Sequence, residues 1–287
     1  MKTKRIGING IKIRGENRKR LKSLIQCLER KKYIIYFSDE LLKTFKNERY
    51  KSYTQENLND FLFIISLGGD GTLLNTVSQI GKYETKILGI NIGKLGFLSY
   101  DVYTFFEKML DDIDEEKFTL EERSLVTIDL NGKKIEKNFA LNEISVVKKD
   151  SSSMIRIHCY INEKFLCTYW SDGLIISTPT GSTGYSLSCG GPILTPDTKN
   201  LIITPISPHN LGLRSLIISD DSKIKLKVES EGNNYLVSLD SRSKTLKKDQ
   251  DLLITKSKFN ANLIHPDNFD FFETLRKKLN WGYDLRN

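Results

Sequence analysis

Phe61-Leu-Phe-Ile-Ile-Ser-Leu67 runs directly into Gly68-Gly69-Asp70-Gly71-Thr72-Leu73-Leu74, and the fold turns on how this stretch is read. Seven mostly apolar residues form a strand buried on both faces, the kind a parallel sheet uses. Three glycines around one aspartate then allow a sharp turn and bring bare backbone close to a ligand. Thr72 can start a helix whose apolar face is Leu73, Leu74, Val77 and Ile80. Strand, glycine turn and helix start make an anion site, because free N–H groups and the helix dipole point at one spot. A carboxylate there repels phosphate unless it binds a metal or takes a proton from a neighbouring hydroxyl. The plain alternative is that Asp70-Gly71 is a turn dipeptide. The buried strand before it and the glycines around it favour a site.

The same alternation extends outward. Arg5 to Gly10 reads as a first strand, Glu16 to Lys31 as a helix (Leu21, Leu24, Ile25, Leu28), Tyr33 to Phe37 as a strand and Glu40 to Phe45 as a short helix. Lys86 to Asn91 is a further strand, followed by the Ile92–Leu98 loop and a helix from Val102 to Ile113. This is an α/β unit with a parallel sheet. No G-x-G-x-x-G follows the first strand, so if a nucleotide binds in this unit Gly68–Thr72 must hold it. Past Arg123 the chain becomes short strands and turns, with a hairpin expected at Asn131-Gly132 and a turn at Asn162-Glu163-Lys164. The expected domains are residues 1–118, with 266–287 returning as a helix (Phe271, Phe272, Leu275, Leu279) packed on them, and a mostly antiparallel β domain, 119–265.

The 287 residues are 39% hydrophobic and 28% charged, ordinary for a globular chain. Lys and Arg number 44 against 36 Asp and Glu, a net charge of +8 that suits an anionic ligand. The lysines are scattered, and no basic stripe interleaved with aromatics is present, so nucleic acid is not the expected partner. Cys27, Cys159, Cys167 and Cys189 lack metal-ligand spacing, and Cys159 and Cys167 fit buried positions in strands. Neither a signal peptide nor a membrane-spanning run is seen, and the expectation is a cytoplasmic protein with reduced thiols and no membrane partner.

A second unusual run is Ser171-Asp172-Gly173 through Thr178-Pro179-Thr180-Gly181-Ser182-Thr183-Gly184-Tyr185-Ser186-Leu187-Ser188 to Gly190-Gly191-Pro192. Its hydroxyls can reach ribose, amide or phosphate groups, Ser182–Tyr185 can open a helix, and Tyr185 can stack on a ring. The same composition also makes a solvated loop with capping hydroxyls. Asn142-Glu143, at a strand edge, could hold a base and a ribose diol, or could simply be solvated. His158, His209 and His265 are too far apart in sequence pattern to form a metal cluster, and no G-x-S-x-G is present.

With these runs the chain resembles the NAD kinase family, ATP- and polyphosphate-using members included. The resemblance rests on Gly68–Thr72, Asn142-Glu143, Asp172-Gly173, Thr178–Ser188, Gly190-Gly191-Pro192, Pro205–His209 and Leu279–Gly282, in family order. The first motif is shared with diacylglycerol, sphingosine and 6-phosphofructo-kinases; the Thr/Gly/Ser run is particular to NAD kinases. The resemblance implies a Rossmann-like first domain and transfer of the ATP γ-phosphoryl group to the 2′-hydroxyl of the adenosine ribose of NAD, giving NADP and ADP. It implies Asp70 as general base, and a divalent cation, expected to be Mg²⁺, on the donor phosphates, its protein ligands unassigned. Gly68, Gly69, Gly71 and Thr72 are implied to hold phosphates. Asn142, Glu143, Asp172, Thr183, Gly184, Tyr185, Ser186, Leu187 and Ser188 are implied to line the NAD site, with Ser207 and Arg242 as further binding positions. In the family a neighbouring subunit completes the site, which implies a homo-oligomer, dimer or tetramer. Two positions depart from the pattern: Gly184 stands where many members have alanine, and Trp170 where many have arginine. A lipid or sugar kinase and a nucleotide sensor remain as competing classes; the donor, NAD against NADH, and regulation by NADPH stay open.

Overall fold

The computed structural model describes residues 4–10, 15–45, 49–92, 96–100, 106–131, 135–149, 153–232, 234–248, 250–266 and 269–283. Its chain divides into two units, Met1–Glu122 with Ala261–Asn287, and Arg123–Asn260.

In the first unit the apolar run Phe63–Leu67 is buried along its whole length. It lies at the middle of a seven-stranded sheet of order Lys51–Ser52, Ile34–Phe37, Arg5–Gly10, Phe63–Leu67, Ile87–Ile90, Ala261–His265, Thr119–Arg123. Five of the strand pairings are parallel: Arg5–Gly10 with Ile34–Phe37 and Phe63–Leu67, Ile34–Phe37 with Lys51–Ser52, and Ile87–Ile90 with Phe63–Leu67 and Ala261–His265. The build direction reverses between Arg5–Gly10 and Phe63–Leu67, whose last residues, Gly10 and Leu67, are register partners. Ligands of open α/β sheets bind outside the carboxyl ends of the strands at such a reversal. Helix Glu16–Arg30 buries Leu21, Leu24, Ile25 and Leu28 against Ile6, Ile8, Phe63 and Ile65. Helix Phe106–Asp114 adds Met109, Leu110 and Ile113 to the same core; residues 102–105, where the sequence places its start, lie outside the described residues.

Three expectations shift. The strand begins at Phe63 because Phe61 closes the turn Gln55–Asp60 and packs on Tyr36 and Tyr53. The helix after it begins at Asp70 with Gly69 as N-cap, while Thr72 is buried inside its first turn. The strands Thr119–Arg123 and Ala261–His265 belong to this sheet, although the sequence reading groups both with the β domain. Strand-forming residues do not say which sheet edge they will join. The tail helix, Phe271–Leu279, is capped by Asp270, whose Oδ1 accepts from Phe272 N at 2.8 Å. Of its expected apolar face only Leu275 is buried; Phe272 is 54% exposed.

The second unit holds two six-stranded sheets whose identified pairings are antiparallel. One face of each, Ile157, Cys159, Leu226 and Ile254 from the first and Ile144, Val146, Ile176 and Val237 from the second, forms a single apolar core. Alternation in and out of that core is what a half-buried sheet requires. Asn162 and Glu163 form a two-residue turn, both at positive φ, between the paired Ile161 and Lys164. The hairpin expected at Asn131-Gly132 is longer: Val126 pairs with Ala140, and Asn138 Nδ2 donates to Ile128 O at 2.9 Å. Gly132 lies outside the described residues. The edge strand Arg242–Lys247 escapes the sequence reading because Leu246 is its one buried residue.

Ile65→Ala, in the fully buried central strand, is expected to cost about 2–5 kcal/mol in urea unfolding followed by circular dichroism. Phe272→Ala, on the exposed side of the tail helix, is expected to change stability by less than about 1 kcal/mol.

Candidate functional site

In the first unit the chain leaves Leu67 at the sheet reversal and turns through Gly68 and Gly69 into the Asp70–Ile80 helix. Gly69 and Gly71 are exposed, and a Cβ at either would meet no other atom within 4 Å. Their backbone is therefore open to a ligand at a helix N-terminus, where the dipole favours an anion. The N–H of Thr72 donates to Gly69 O at 2.9 Å and its side chain is buried, so of the motif it contributes packing.

Asp70 is fixed by Phe97, Leu98 and Ser99, which follow the Ile87–Ile90 strand. Its Oδ2 accepts from Phe97 N at 2.8 Å, and its Oδ1 accepts from Leu98 N at 3.0 Å and Ser99 Oγ at 3.4 Å. A Cβ at Gly96 would overlap Asp70 Oδ1, so any larger residue there must displace the carboxylate. Lys94 lies outside the described residues.

In the second unit the Thr178–Tyr185 run folds onto Asn142-Glu143. Thr178 Oγ1 donates to Leu141 O at 2.6 Å, Thr178 N donates to Asn142 O at 2.9 Å, and Thr178 Oγ1 accepts from Gly181 N at 3.1 Å. A Cβ at Gly181 would overlap the Asn142 carbonyl, so the sequence Thr-Gly-Ser is what lets the loop close on that corner. Asn142 Oδ1 and Glu143 Oε2 are buried without a hydrogen-bond partner, which leaves two acceptors for a ligand's hydroxyl or amino groups. Tyr185 presents its ring to solvent at 43% exposure, and Ser188 is exposed beside it.

The remaining expected residues divide. Asp172 Oδ1 pairs with Lys148 Nζ at 2.7 Å, and Asp172 N donates to Ile206 O at 3.0 Å. That bond brings Ser207, exposed and at a positive φ of 44°, beside Asp172. Non-glycine residues held in that region cluster at functional sites. Gly184 lies against Glu143, and Thr183 Oγ1 donates to Thr180 O at 3.2 Å. Leu187 is half-buried. Ser186 is fully buried, its Oγ 2.8 Å from Thr204 Oγ1, and serves the loop's interior. Arg242 donates through Nη1 to Lys137 O at 2.6 Å and through Nη2 to Phe139 O, so its guanidinium is taken up by backbone.

Burial is the main reason that the Glu143 carboxyl is pushed up to about 7; the Asp240 carboxylate adds to it and a backbone N–H from Tyr185 opposes it. At neutral pH Glu143 can therefore either accept from or donate to a ligand hydroxyl. Among the described residues no group of three or more His, Cys, Asp or Glu side chains is placed to hold a metal ion.

A family model of the ATP-NAD kinase N-terminal domain matches residues 10–118, and one of the ATP-NAD kinase C-terminal domain matches residues 141–266. The chain belongs to the ATP-NAD kinase family. It is 41% identical to the NAD kinase of Christiangramia forsetii over 99% of this chain and 100% of that one. It is 48% identical to the NAD kinase of Flavobacterium psychrophilum over 85% of each. Among solved structures, it is similar to the NAD kinase of Archaeoglobus fulgidus in complex with ATP (TM-score 0.76, 27% identity, 96% and 97% of the two chains). Its fold is also that of yeast NADH kinase complexed with NADH (TM-score 0.87, 22% identity, 100% and 90% covered). Its activity is that of an NAD kinase, ATP-dependent phosphorylation of NAD.

The two departures from the NAD kinase pattern have visible consequences. A Cβ at Gly184 would stand 3.2 Å from Glu143 Oε2, so alanine there crowds the carboxyl. Trp170 is part-exposed and stacks on His209 at 4.2 Å. Sequence reasoning missed Gly96, Phe97, Leu98 and Asp240; the signal for the first was present as a Gly-flanked loop after a buried strand.

The folded chain holds the Glu143 proton up to about pH 7 and the unfolded chain only to its ordinary 4.5. Between those values the folded state binds more protons, so this group's contribution to stability is full below about 4.5 and is lost as pH rises through about 7. Glu143→Gln is expected to remove that decline, which the difference in Tm between variant and wild type across this window measures.

Proposed function

We propose that Asp70 is the general base of the NAD kinase reaction, taking the proton of the adenosine-ribose 2′-hydroxyl as that oxygen attacks the γ-phosphorus of ATP. The observation that carries it is the Asp70 carboxylate itself, held on Phe97 and Leu98 N–H at the open start of a helix. A ribose hydroxyl is a weak nucleophile until a carboxylate at hydrogen-bond distance accepts its proton. The P–O bond to ADP breaks as the new P–O bond forms, leaving NADP, ADP and a proton on Asp70 that passes to solvent. Gly68, Gly69 and Gly71 offer backbone to the phosphates, and Thr72 packs beneath them. Asn142 and Glu143, with their unpaired acceptors, hold NAD. Tyr185 stacks on a ring, and Asp172, Thr183, Gly184, Ser188 and Ser207 line the same subsite. Ser186, Leu187 and Arg242 support it from behind.

A divalent cation, Mg²⁺ by preference, neutralises charge on the transferring phosphoryl group when bound. The donor set fits an ion carried on the ATP phosphates, since Mg²⁺ is commonly held through one or two carboxylates, substrate and water. Phosphate and water oxygens would hold most of its positions, and no protein ligand is assigned to it. The chain is further proposed to act as a homo-oligomer, dimer or tetramer, on the strength of the family resemblance and of apolar residues such as Leu211, 86% exposed. No helix among the described residues is long and apolar enough to cross a membrane. A cytoplasmic location is proposed on the four free thiols.

Purified protein with ATP, Mg²⁺ and NAD is expected to form NADP, detected by an NADP-specific dehydrogenase. Asp70→Asn is expected to lower kcat by about 10² to 10⁴ with little change in NAD affinity; equal rates would remove Asp70 from the role. Gly96→Ala, which displaces the carboxylate without removing it, is expected to cost about 10² in kcat.

A further inference from the structure

Asp240 is an acidic side chain bonded to the Asn142-Glu143 corner, and no expectation from the sequence gave it a task. It stands in the two-residue turn between the paired Leu239 and Arg242, at a positive φ of 52°. Its Oδ2 accepts from Leu141 N at 2.9 Å, and its Oδ1 accepts from Asn142 N at 2.8 Å and Glu143 N at 3.2 Å. Its own N–H donates to Glu143 O at 3.0 Å. One residue thus binds three consecutive N–H groups and returns a donor to the third residue.

This corner needs such a hold. Phe139–Ala140 lies in one sheet of the second unit and Glu143–Lys148 in the other, so the chain changes sheet at Leu141-Asn142. N–H groups at a crossing have no strand to pair with, and buried donors left unpaired are costly. Two residues on, Arg242 grips the carbonyls of Lys137 and Phe139, just upstream of the same corner. The single acceptor oxygen of asparagine or serine could take at most two of these N–H groups; the two oxygens of a carboxylate take all three.

We propose that Asp240 is a positioning residue for the NAD subsite, fixing the Asn142 and Glu143 side chains in one orientation by holding their backbone. The inference rests on the reading of Asn142 and Glu143 as NAD ligands. It makes Asp240 matter to NAD and not to ATP, and to binding more than to the chemical step. The groups facing Glu143 are Asp240, Tyr185 and Cys189, with Arg242 beside Asp240, so a change at Asp240 also alters the field that Glu143 feels.

The test is steady-state kinetics and NAD titration calorimetry on Asp240→Asn, Asp240→Glu, Asn142→Ala and Glu143→Gln, with circular dichroism and thermal melts on each. For Asp240→Asn the expectation is a 10- to 100-fold rise in KM and Kd for NAD, a KM for ATP within twofold of wild type, and kcat reduced less than tenfold. The pH at which NAD affinity breaks, set near 7 by Glu143, is expected to move down when the Asp240 charge is removed. Asp240→Glu keeps the charge and misplaces it, so its NAD KM is expected to fall between the two. Equal losses for NAD and ATP in step with a lowered Tm would make Asp240 a fold residue only and overturn the proposal, as would an unchanged NAD KM. If Asp240→Asn does not fold, an Asp240→Glu enzyme with wild-type NAD KM overturns it. Should Asn142→Ala and Glu143→Gln also bind NAD normally, it is the reading of the subsite that fails; if they lose NAD while Asp240→Asn keeps it, the positioning role alone fails.

Discussion

Backbone N–H groups that leave a strand must find acceptors, and at both candidate subsites of this chain an aspartate carboxylate supplies them. Asp70 accepts from Phe97 and Leu98, and Asp240 accepts from Leu141, Asn142 and Glu143. An unsatisfied buried donor costs about 1–3 kcal/mol, and a charged acceptor forms a stronger bond than a neutral one. Each carboxylate therefore does two things at once. It closes a turn that irregular backbone would otherwise leave open, and it becomes a charge held at fixed coordinates. For Asp70 that fixed charge stands at the open start of a helix; for Asp240 it anchors the backbone under Asn142 and Glu143. The close glycines follow from this arrangement: Gly96 exists because the Asp70 carboxylate occupies the place of its side chain, and Gly181 because the Asn142 carbonyl occupies its own.

The same attention to strand ends shows where backbone is left open. The strand order of the first unit carries the reversal typical of dinucleotide-binding sheets, yet no glycine fingerprint follows its first strand. Asn9, at the end of that strand, is buried and donates through Nδ2 to Asn75 Oδ1 at 3.0 Å and Thr76 Oγ1 at 2.8 Å. The first strand is thus braced at Asn9 against the Asp70–Ile80 helix. The open backbone lies instead after the adjacent strand, at Gly69 and Gly71. The sheet keeps the reversal, and the open glycine turn follows the neighbouring strand.

The parts of this design that could be read from sequence are those with local chemistry. Phe63–Leu67 is apolar without alternation, Glu16–Arg30 repeats every three to four residues, and the second unit alternates, so strands, helix and sheet type follow from periodicity. The parts that could not be read depend on long-range pairing. Ala261–His265 joins a sheet whose partner strand begins at Ile87, and five residues carry no record of that partner. Asp240 meets Leu141 across about a hundred positions. It sits in a Leu-Asp-Ser-Arg turn where an aspartate needs no explanation beyond turn preference. Arg242 was identifiable as a residue of the region, but its task is to hold two carbonyls, and a guanidinium's partner cannot be told from its presence.

The hydroxyl-rich loop carries the sharpest form of that distinction. Ser177, Thr178, Ser182, Thr183 and Ser186 all spend their hydroxyls on carbonyls, an N–H group or the Thr204 hydroxyl within the second unit. A loop of seven Ser and Thr residues is thus mostly self-supporting scaffold, with Tyr185 and Ser188 left to face outward. The scaffold nonetheless has a chemical consequence. By folding onto Asn142-Glu143 it buries Glu143 far enough that its carboxyl rises to about 7, while the Tyr185 N–H limits the rise. A solvated glutamate of ordinary acidity would only accept hydrogen bonds at neutral pH. The buried one sits near the midpoint of its titration, so it can match either sense of a ligand hydroxyl. The loop's composition therefore sets the chemistry of this corner mainly through the carboxyl it encloses, and the many hydroxyls are the means of enclosing it.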